Sequence, residues 1–244
     1  MNETIEHLFQ QLDEIVTAYP ATICRMEGML PGTAFFPGGQ GLFIANPEHK
    51  PEFPFGKIMV LGQDFDNATG FRSTIQNGDY DELNTPTWRI MLPLLKNVGI
   101  NLSTCFFTNA IMGVRNAEGN IGTSPAFNSP EFLQQCQDFF IHQLTIQKPK
   151  LVIVLGKNVA RFLLPLSENF NAWKPCELSA FRQRQNWILN NVSFESITDY
   201  SARFLFLIHP SMLNSNVKRI TYGTLSGKDA VHLLLRNAKA GLDL

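Results

Sequence analysis

Three polar segments of the sequence each follow a short apolar run, and each carries a side chain that could do chemistry. Asp64 lies in the first segment, Asn109 in the second and His209 in the last. A carboxylate can stabilise positive charge, an amide can pair with a nucleobase edge as donor and acceptor, and an imidazole can donate a hydrogen bond near neutral pH. Each segment alone is typical of an ordinary turn. Together they indicate a single polar crevice.

The elements that must position these residues are indicated by hydrophobic patterning. Continuous apolar runs of this length are typical of strands buried on both faces, and they cover 57–61, 104–108, 151–155 and 204–208. Helical patterns flank or separate them at 3–18, 85–98, 130–147, 156–164 and 227–239. This alternation predicts an α/β fold, a three-layer α/β/α arrangement with a central, mainly parallel four-stranded sheet. Such sheets bind ligands at the carboxyl ends of their strands.

Composition is that of an ordinary globular chain. Of 244 residues, 44% are hydrophobic and 17% are charged, which provides for a sizeable core. No linker or composition break divides the sequence, so we predict one domain over 1–244, with its core at about 57–240 and an N-terminal helix and loop at about 1–56. The segment 31–54 is rich in Gly, Pro and aromatic residues, which predicts an irregular connection.

Charge and cysteine usage restrict the possible partners. The net charge of -1 argues against bulk electrostatic adhesion to nucleic acid, so any contact with DNA has to be local. Three basic pairs could form a local rim: Lys157 with Arg161, Arg182 with Arg184, and Lys218 with Arg219. The four cysteines form no C-x-x-C pair, and the apolar runs are too short to span a bilayer. We expect a monomeric, cytoplasmic protein with no cofactor and no bound metal.

In their order and context, the motifs resemble those of the uracil-DNA glycosylase superfamily. The principal branch of that family carries Gly-Gln-Asp-Pro-Tyr-His after its first core strand and His-Pro-Ser-Pro-Leu-Ser after its last. This chain has Gly-Gln-Asp at 62–64 and His-Pro-Ser at 209–211. The stretch 109–115 is similar to Asn-Ala-Val-Leu-Thr-Val-Arg, and 148–156 resembles the Lys-Pro-Lys-Val-Ile-Val-x-Leu-Gly of bacterial branches. The likeness covers about residues 57–235.

The resemblance implies a DNA glycosylase that hydrolyses the N-glycosidic bond of uracil or a related modified base. Asp64 would then position the attacking water and stabilise positive charge on the sugar, while His209 would donate a hydrogen bond to the departing base. Asn109 would distinguish uracil from cytosine by the donor and acceptor pattern of the base edge. We also expect Gln63 to contact the base.

The DNA side of the site is implied in the same way. Because the target base lies inside a stack, the enzyme must extrude it into a pocket. Met212 or Leu213 would be the wedge, since they follow His-Pro-Ser where the principal branch places its intercalating Leu. Ser211, together with backbone amides near it and near Gln63, would hold the phosphates that flank the flipped nucleotide.

The chain departs from the family pattern in the first motif. Phe65, Asp66 and Asn67 replace Pro, Tyr and His. In the principal branch the Tyr closes the pocket against the thymine methyl group, so we expect Asp66 to alter the range of bases accepted. The alternative is that Asp66 turns away to cap its own loop through Asn67 or Thr69, and that Phe65 or Phe71 takes over the blocking role. For the aromatic platform under the base, Phe71 is the first candidate, with Tyr80 and Trp88 behind it.

A further difference from the family concerns the cysteines. The iron–sulfur branches carry four spaced cysteines with an early close pair, whereas here Cys24 alone precedes the first core strand, so we expect no metal cluster. Two other functions stay open at this level: a catalytically weak nucleic-acid-binding relative, and a hydrolase of free nucleosides or nucleotides. Retention of Asp64, Asn109 and His209 favours excision over binding alone, and the apolar pair at 212–213 favours a polymeric substrate.

Overall fold

The helices alternate with short strands along the chain. The computed structural model describes residues 3–26, 52–77, 86–116, 119 and 122–244; most of the irregular segment expected at 31–54, the helix start at Thr85 and the aromatic candidate Tyr80 lie outside them. Within these residues there are eight α-helices: α1 (Glu3–Ile15), α2 (Ala68–Asn77), α3 (Pro86–Asn97), α4 (Pro130–Gln147), α5 (Lys157–Leu163), α6 (Leu178–Arg184), α7 (Pro210–Asn216) and α8 (Gly227–Lys239).

The strands form one larger sheet and two small ladders. They are β1 (Ile23–Cys24), β2 (Ile58–Gly62), β3 (Cys105–Asn109), β4 (Val114–Arg115), β5 (Leu151–Leu155), β6 (Ile188–Ser193), β7 (Ser201–Leu207), β8 (Thr221–Tyr222) and β9 (Leu225–Ser226). The larger sheet has the order β3-β2-β5-β7-β6, in which all neighbours are parallel except the antiparallel pair β6 and β7. The pairs β1 with β4 and β8 with β9 are antiparallel.

The fold class predicted from the sequence is confirmed, with one more strand than expected. All five residues of β2, β3 and β5 are buried, as their continuous apolar runs predict for strands covered by helices on both faces. The fifth strand, β6, was missed because it lies at the edge and its register shifts between Leu189 and Val192. Asn191 adopts a φ of 53° in this bulge, which removes the alternation that marks a strand in a sequence.

The N-terminal helix belongs to the same hydrophobic core as the sheet. In α1, Ile5, Leu8 and Leu12 are at most 2% exposed and repeat at helical spacing. The helix packs against α4, which covers the sheet. No helix in the described ranges is long and apolar enough to cross a bilayer.

A cluster of aromatic rings fills the space beside β7. The rings of Phe181 and Phe206 stack at a centroid separation of 3.9 Å and an interplanar angle of 2°. Trp187 stacks on Phe181 at 5.6 Å, and Trp173 meets Phe181 edge-on at 6.0 Å. Because Phe181 comes from α6, this cluster fixes that short helix to the sheet. The packing thus reaches to the strand that precedes His209.

Phe181→Ala should therefore destabilise the protein strongly, since it removes a fully buried ring and leaves a cavity that rigid neighbours cannot fill. We expect a loss of about 3 to 5 kcal/mol in the free energy of unfolding. Phe55 is 54% exposed and provides a matched control, for which Phe55→Ala should cost about 1 kcal/mol or less. Chemical denaturation followed by tryptophan fluorescence measures both values. Equal losses in the free energy of unfolding of the two variants would show that the aromatic cluster contributes no extra stability.

Candidate active site

Four neighbouring parallel strands bring the polar segments to one edge of the sheet. Asn109 is the last residue of β3 and lies beside Gly62, the last residue of β2. Asp64 follows β2, and His209 follows β7 by two residues. Strand β5 separates β2 from β7, so at about 4.8 Å per strand the ends of β2 and β7 lie about 10 Å apart. The two side chains thus come from strand ends that are separated by the width of one strand, β5.

Asp64 is held in a buried ion pair. Its side chain is 8% exposed, and its Oδ2 accepts a hydrogen bond of 2.6 Å from Nε of Arg115, whose side chain is 3% exposed. Nε2 of Gln63 donates to the same Oδ2 atom at 3.3 Å, and the side chain of Ser124 lies near the carboxyl group. Burial raises the pKa of Asp64 above its usual value, and the contacts with Arg115, Ser124 and Gln63 act in the opposite direction. The sequence offered one signal for this pairing, since Arg115 ends the family-like stretch 109–115.

The side chain of Gln63 is fully engaged with protein groups. Its Nε2 donates to the carbonyl oxygen of Gly122 at 3.0 Å, and its Oε1 accepts from Nδ2 of Asn158 at 2.5 Å. Nη2 of Arg115 donates to the same Gly122 oxygen at 3.0 Å. Asn158 is the second residue of α5, so this contact ties the end of β5 to the loop after β2. Sequence reasoning did not single out Asn158, because an Asn at a helix start is ordinary.

Asn109 presents an amide that makes no hydrogen bond with the part of the chain that the structure describes. The residue is 2% exposed, and its amide takes no part in the hydrogen bonds found among the described residues. The amide is therefore available to a ligand that enters the crevice.

His209 sits where β7 turns into α7. Its Nδ1 lies 2.8 Å from Oγ of Ser211, and burial lowers the pKa of the imidazole. Gly156, after β5, has a φ of 94°, and a Cβ placed there would lie 3.3 Å from the Cβ of His209. Glycine at 156 thus allows the end of β5 to approach the histidine closely.

The residues after His209 differ sharply in exposure. Met212 is 50% exposed, whereas Leu213 is 4% exposed and belongs to the hydrophobic core. Of the two wedge candidates, Met212 is the one at the surface. Ser211 is exposed, and its hydroxyl is engaged with His209.

The loop after Asp64 is organised by its own side chains. Asp66 adopts a φ of 74°, and its Oδ1 accepts a hydrogen bond of 2.6 Å from the backbone N–H of Asn67. Asn67 in turn accepts from the backbone N–H of Gly70 at 2.8 Å, at the start of α2. The carboxylate of Asp66 lies so close to Gly70 that a Cβ there would clash with it. These contacts agree with the alternative expectation, in which Asp66 turns away to cap its own loop.

The aromatic candidates for a stacking platform are mostly part of the core. Phe71 is 6% exposed and meets Phe65 edge-on at 6.4 Å, while Trp88 is 3% exposed and packs against Phe107 at 5.1 Å. Phe65 keeps partial exposure. The structure does not bring the face of Phe71 or Trp88 to the surface.

Among the described residues, no three His, Cys, Asp or Glu side chains are grouped as metal ligands would be. The fold and the strand-end residues define an α/β protein whose polar segments lie at the carboxyl ends of its parallel strands. The family model of the uracil DNA glycosylase superfamily matches residues 51–230, and the chain belongs to this superfamily. The resemblance of its motifs is thereby confirmed, and membership supports a DNA glycosylase type of function in general terms. Comparison with curated proteins gave no match.

Because burial lowers the pKa of His209, we expect its ring to titrate below about 6.5 and to be neutral at pH 7. The folded state then binds fewer protons than the unfolded state as the pH falls through this window, so the free energy of unfolding decreases toward acid. His142 contributes a slope of the same sign, because its pKa is also lowered. NMR titration measures the midpoint, with the His209→Gln variant assigning the signal and flattening part of the slope. A midpoint at or above 6.5 would contradict this expectation.

Proposed function

We propose that this protein is a monofunctional DNA glycosylase that hydrolyses the N-glycosidic bond of uracil or a related deaminated or modified base, as in base excision repair. The observation that carries the proposal is the arrangement of Asp64, Asn109 and His209 at neighbouring strand ends in a member of the uracil DNA glycosylase superfamily. Each supplies one of the functions that the reaction needs: charge stabilisation at the sugar, recognition of the base and stabilisation of the leaving group.

The two ends of the scissile bond develop opposite charges. Positive charge grows on the sugar and is stabilised by the carboxylate of Asp64, which also orients the attacking water. Negative charge grows on the base oxygen and is met by a neutral imidazole. If the hydroxyl of Ser211 donates to Nδ1 of His209, the ring proton sits on Nε2 and is available to the base. In this proposal Ser211 acts on the orientation of His209 as well as on the DNA.

Base recognition is assigned to Asn109. A uracil edge offers an acceptor at O4 and a donor at N3, which the amide can satisfy simultaneously, whereas cytosine presents the reverse pattern. For Gln63, whose side chain is engaged with Asn158 and Gly122, the backbone is the part left for contact with a ligand.

Contact with DNA is proposed at the side of α7. Met212 is exposed and would enter the space that the flipped base vacates. Lys218 and Arg219 are exposed in the turn after α7 and would meet nearby phosphates. Lys157 and Arg161 are less suited to this role, because both engage Glu177, at 3.2 and 2.8 Å.

The proposal is tested by excision from oligonucleotides that carry uracil, hypoxanthine, xanthine or 5-substituted uracils, with alkali to reveal abasic sites. We expect Asp64→Asn and His209→Ala each to lower the single-turnover rate by about 100-fold or more, while DNA binding is largely retained. The double variant should lose less than the product of the two effects, since both residues serve one transition state.

Asp138→Asn is a matched control, because it removes an exposed carboxylate from α4 outside the strand-end segments. Its rate should equal that of the wild type. Absence of cleavage on every substrate, with DNA binding intact, would indicate a binding relative in place of an enzyme. Cleavage of free nucleosides in preference to DNA would indicate a nucleoside hydrolase.

A second prediction concerns the base range. With no tyrosine at position 66 and the Asp66 carboxylate bonded to its own loop, nothing from this residue blocks the C5 side of the base. We expect the wild type to excise thymine and 5-hydroxymethyluracil at measurable rates relative to uracil, because exclusion of a methyl group requires a clash. Asp66→Asn preserves the loop hydrogen bond and should leave the ratios unaltered, whereas Asp66→Tyr should lower the rates for the 5-substituted bases. Strong uracil preference in both wild type and Asp66→Tyr would show that this position does not shape the pocket.

A further inference from the structure

Arg115 is fixed at the centre of the strand-end network by its backbone as well as its side chain. Its N–H donates to the carbonyl oxygen of Asp66 at 3.0 Å, and in the ladder of β1 and β4 it lies opposite Ile23. Its guanidinium reaches Asp64 through Nε at 2.6 Å and Gly122 through Nη2 at 3.0 Å. The side chain is 3% exposed, so these contacts are made in a site largely closed to water.

A contribution to stability does not by itself explain the buried ion pair of Asp64 and Arg115. The desolvation of two buried charges cancels much of their attraction, and well-packed apolar residues of similar volume are often as stabilising. A carboxylate placed at the carboxyl end of a fully buried strand needs another explanation. Asp64 has to stay anionic to act on a developing positive charge, and burial favours its neutral form.

The contacts also restrict the carboxylate geometrically. Arg115 and Gln63 both donate to Oδ2, at 2.6 and 3.3 Å. Each oxygen of an ionised carboxylate offers about two acceptor positions, so these contacts occupy Oδ2 and leave Oδ1 for a water or for the sugar. Holding Oδ2 restricts rotation about the Cβ–Cγ bond, which fixes the direction of Oδ1.

We propose that Arg115 is a positioning residue of the glycosylase reaction, which holds the Asp64 carboxylate by its Oδ2 atom and places a positive charge beside it without itself touching the substrate. This inference rests on the proposed function for its catalytic consequence. Its physical part, the control of Asp64 by Arg115, is a property of the folded protein and can be measured without any substrate.

The groups around Asp64 make Arg115 the cation that acts on it. In the described part of the chain, Gln63 and Ser124 are its other side-chain contacts and both are neutral. His209 lies two strands away, at about 10 Å. Arg203 offers a matched control, since it contacts the carbonyl oxygens of Ala238 and Ala240 at the end of α8, remote from the strand-end crevice, together with Oδ1 of Asn190.

The test is an NMR titration of protein labelled with ¹³C at aspartate side-chain carboxyls, with Asp64→Asn assigning the signal. In Arg115→Gln the Asp64 midpoint should rise by about 1 to 3 pH units. In Arg115→Lys, which keeps the charge but changes the donor geometry, the midpoint should stay near that of the wild type. Arg203→Gln should leave it unaltered. An unmoved midpoint in Arg115→Gln, or an equal rise in Arg203→Gln, overturns the inference.

Excision kinetics distinguish the effect of Arg115 on the charge of Asp64 from its effect on the position of that carboxylate. The acid limb of the single-turnover rate should move to higher pH in Arg115→Gln by the same interval as the Asp64 midpoint. Arg115→Lys should lose rate at every pH with its acid limb unmoved. Wild-type rates in Arg115→Lys overturn the positioning role. If the wild type excises nothing, the proposed function fails, while the NMR titration still decides whether Arg115 controls Asp64.

Arg115→Gln leaves an unpaired buried carboxylate and should lower Tm. The double variant Asp64→Asn with Arg115→Gln should recover part of that loss, because no charge is left unpaired. If Arg115→Gln does not fold, the double variant tests whether Asp64 and Arg115 are coupled. Its recovery supports the coupling of the two side chains, and its failure to fold assigns Arg115 a structural role and overturns the inference.

Discussion

The burial of a carboxylate at the end of an apolar strand is the constraint on which the arrangement of this site depends. Strand β2 is buried over its whole length, so the chain that leaves it carries Asp64 into a region with little water. Neighbouring residues supply polar contacts to it: Arg115 from β4, Gln63 from the adjacent position and Ser124 from the turn before α4. The placement of β4 and of the 122–124 segment therefore depends on how the buried carboxylate of Asp64 is stabilised.

Much of the fold could be predicted because the inner strands are apolar on both faces. The bounds of β5 and α4 agree with the sequence pattern, since a buried strand and a helix with a Pro start and a defined end leave clear signals. The pattern is weaker where burial is partial. Strand β6 has exposed Asn residues and a bulge, and α7 is so short that His-Pro-Ser was interpreted as a turn. Local sequence does not encode such elements strongly.

The site was predictable at the level of residue types and strand ends, but not at the level of contacts. Asp64, Asn109 and His209 were identified from their place after apolar runs, and the sheet brings these strand ends to one edge. The partnership of Asp64 with Arg115 depends on a ladder between β1 and β4, two-residue strands that no periodicity reveals. The exposure of Met212 and the burial of Leu213 depend on the rotation of α7, which the sequence does not determine alone.

Because Gly156 approaches His209 closely, the positions of backbone atoms set the width of the site at this point. The histidine rests against main chain, with β5 as a spacer of fixed thickness between it and the loop that carries Asp64. Hydrogen-bonded strands keep their separation within a few tenths of an ångström. The spacing of the strands therefore sets the distance between the catalytic side chains. The range of bases accepted is left to the side chains and loops that follow β2, β3 and β7.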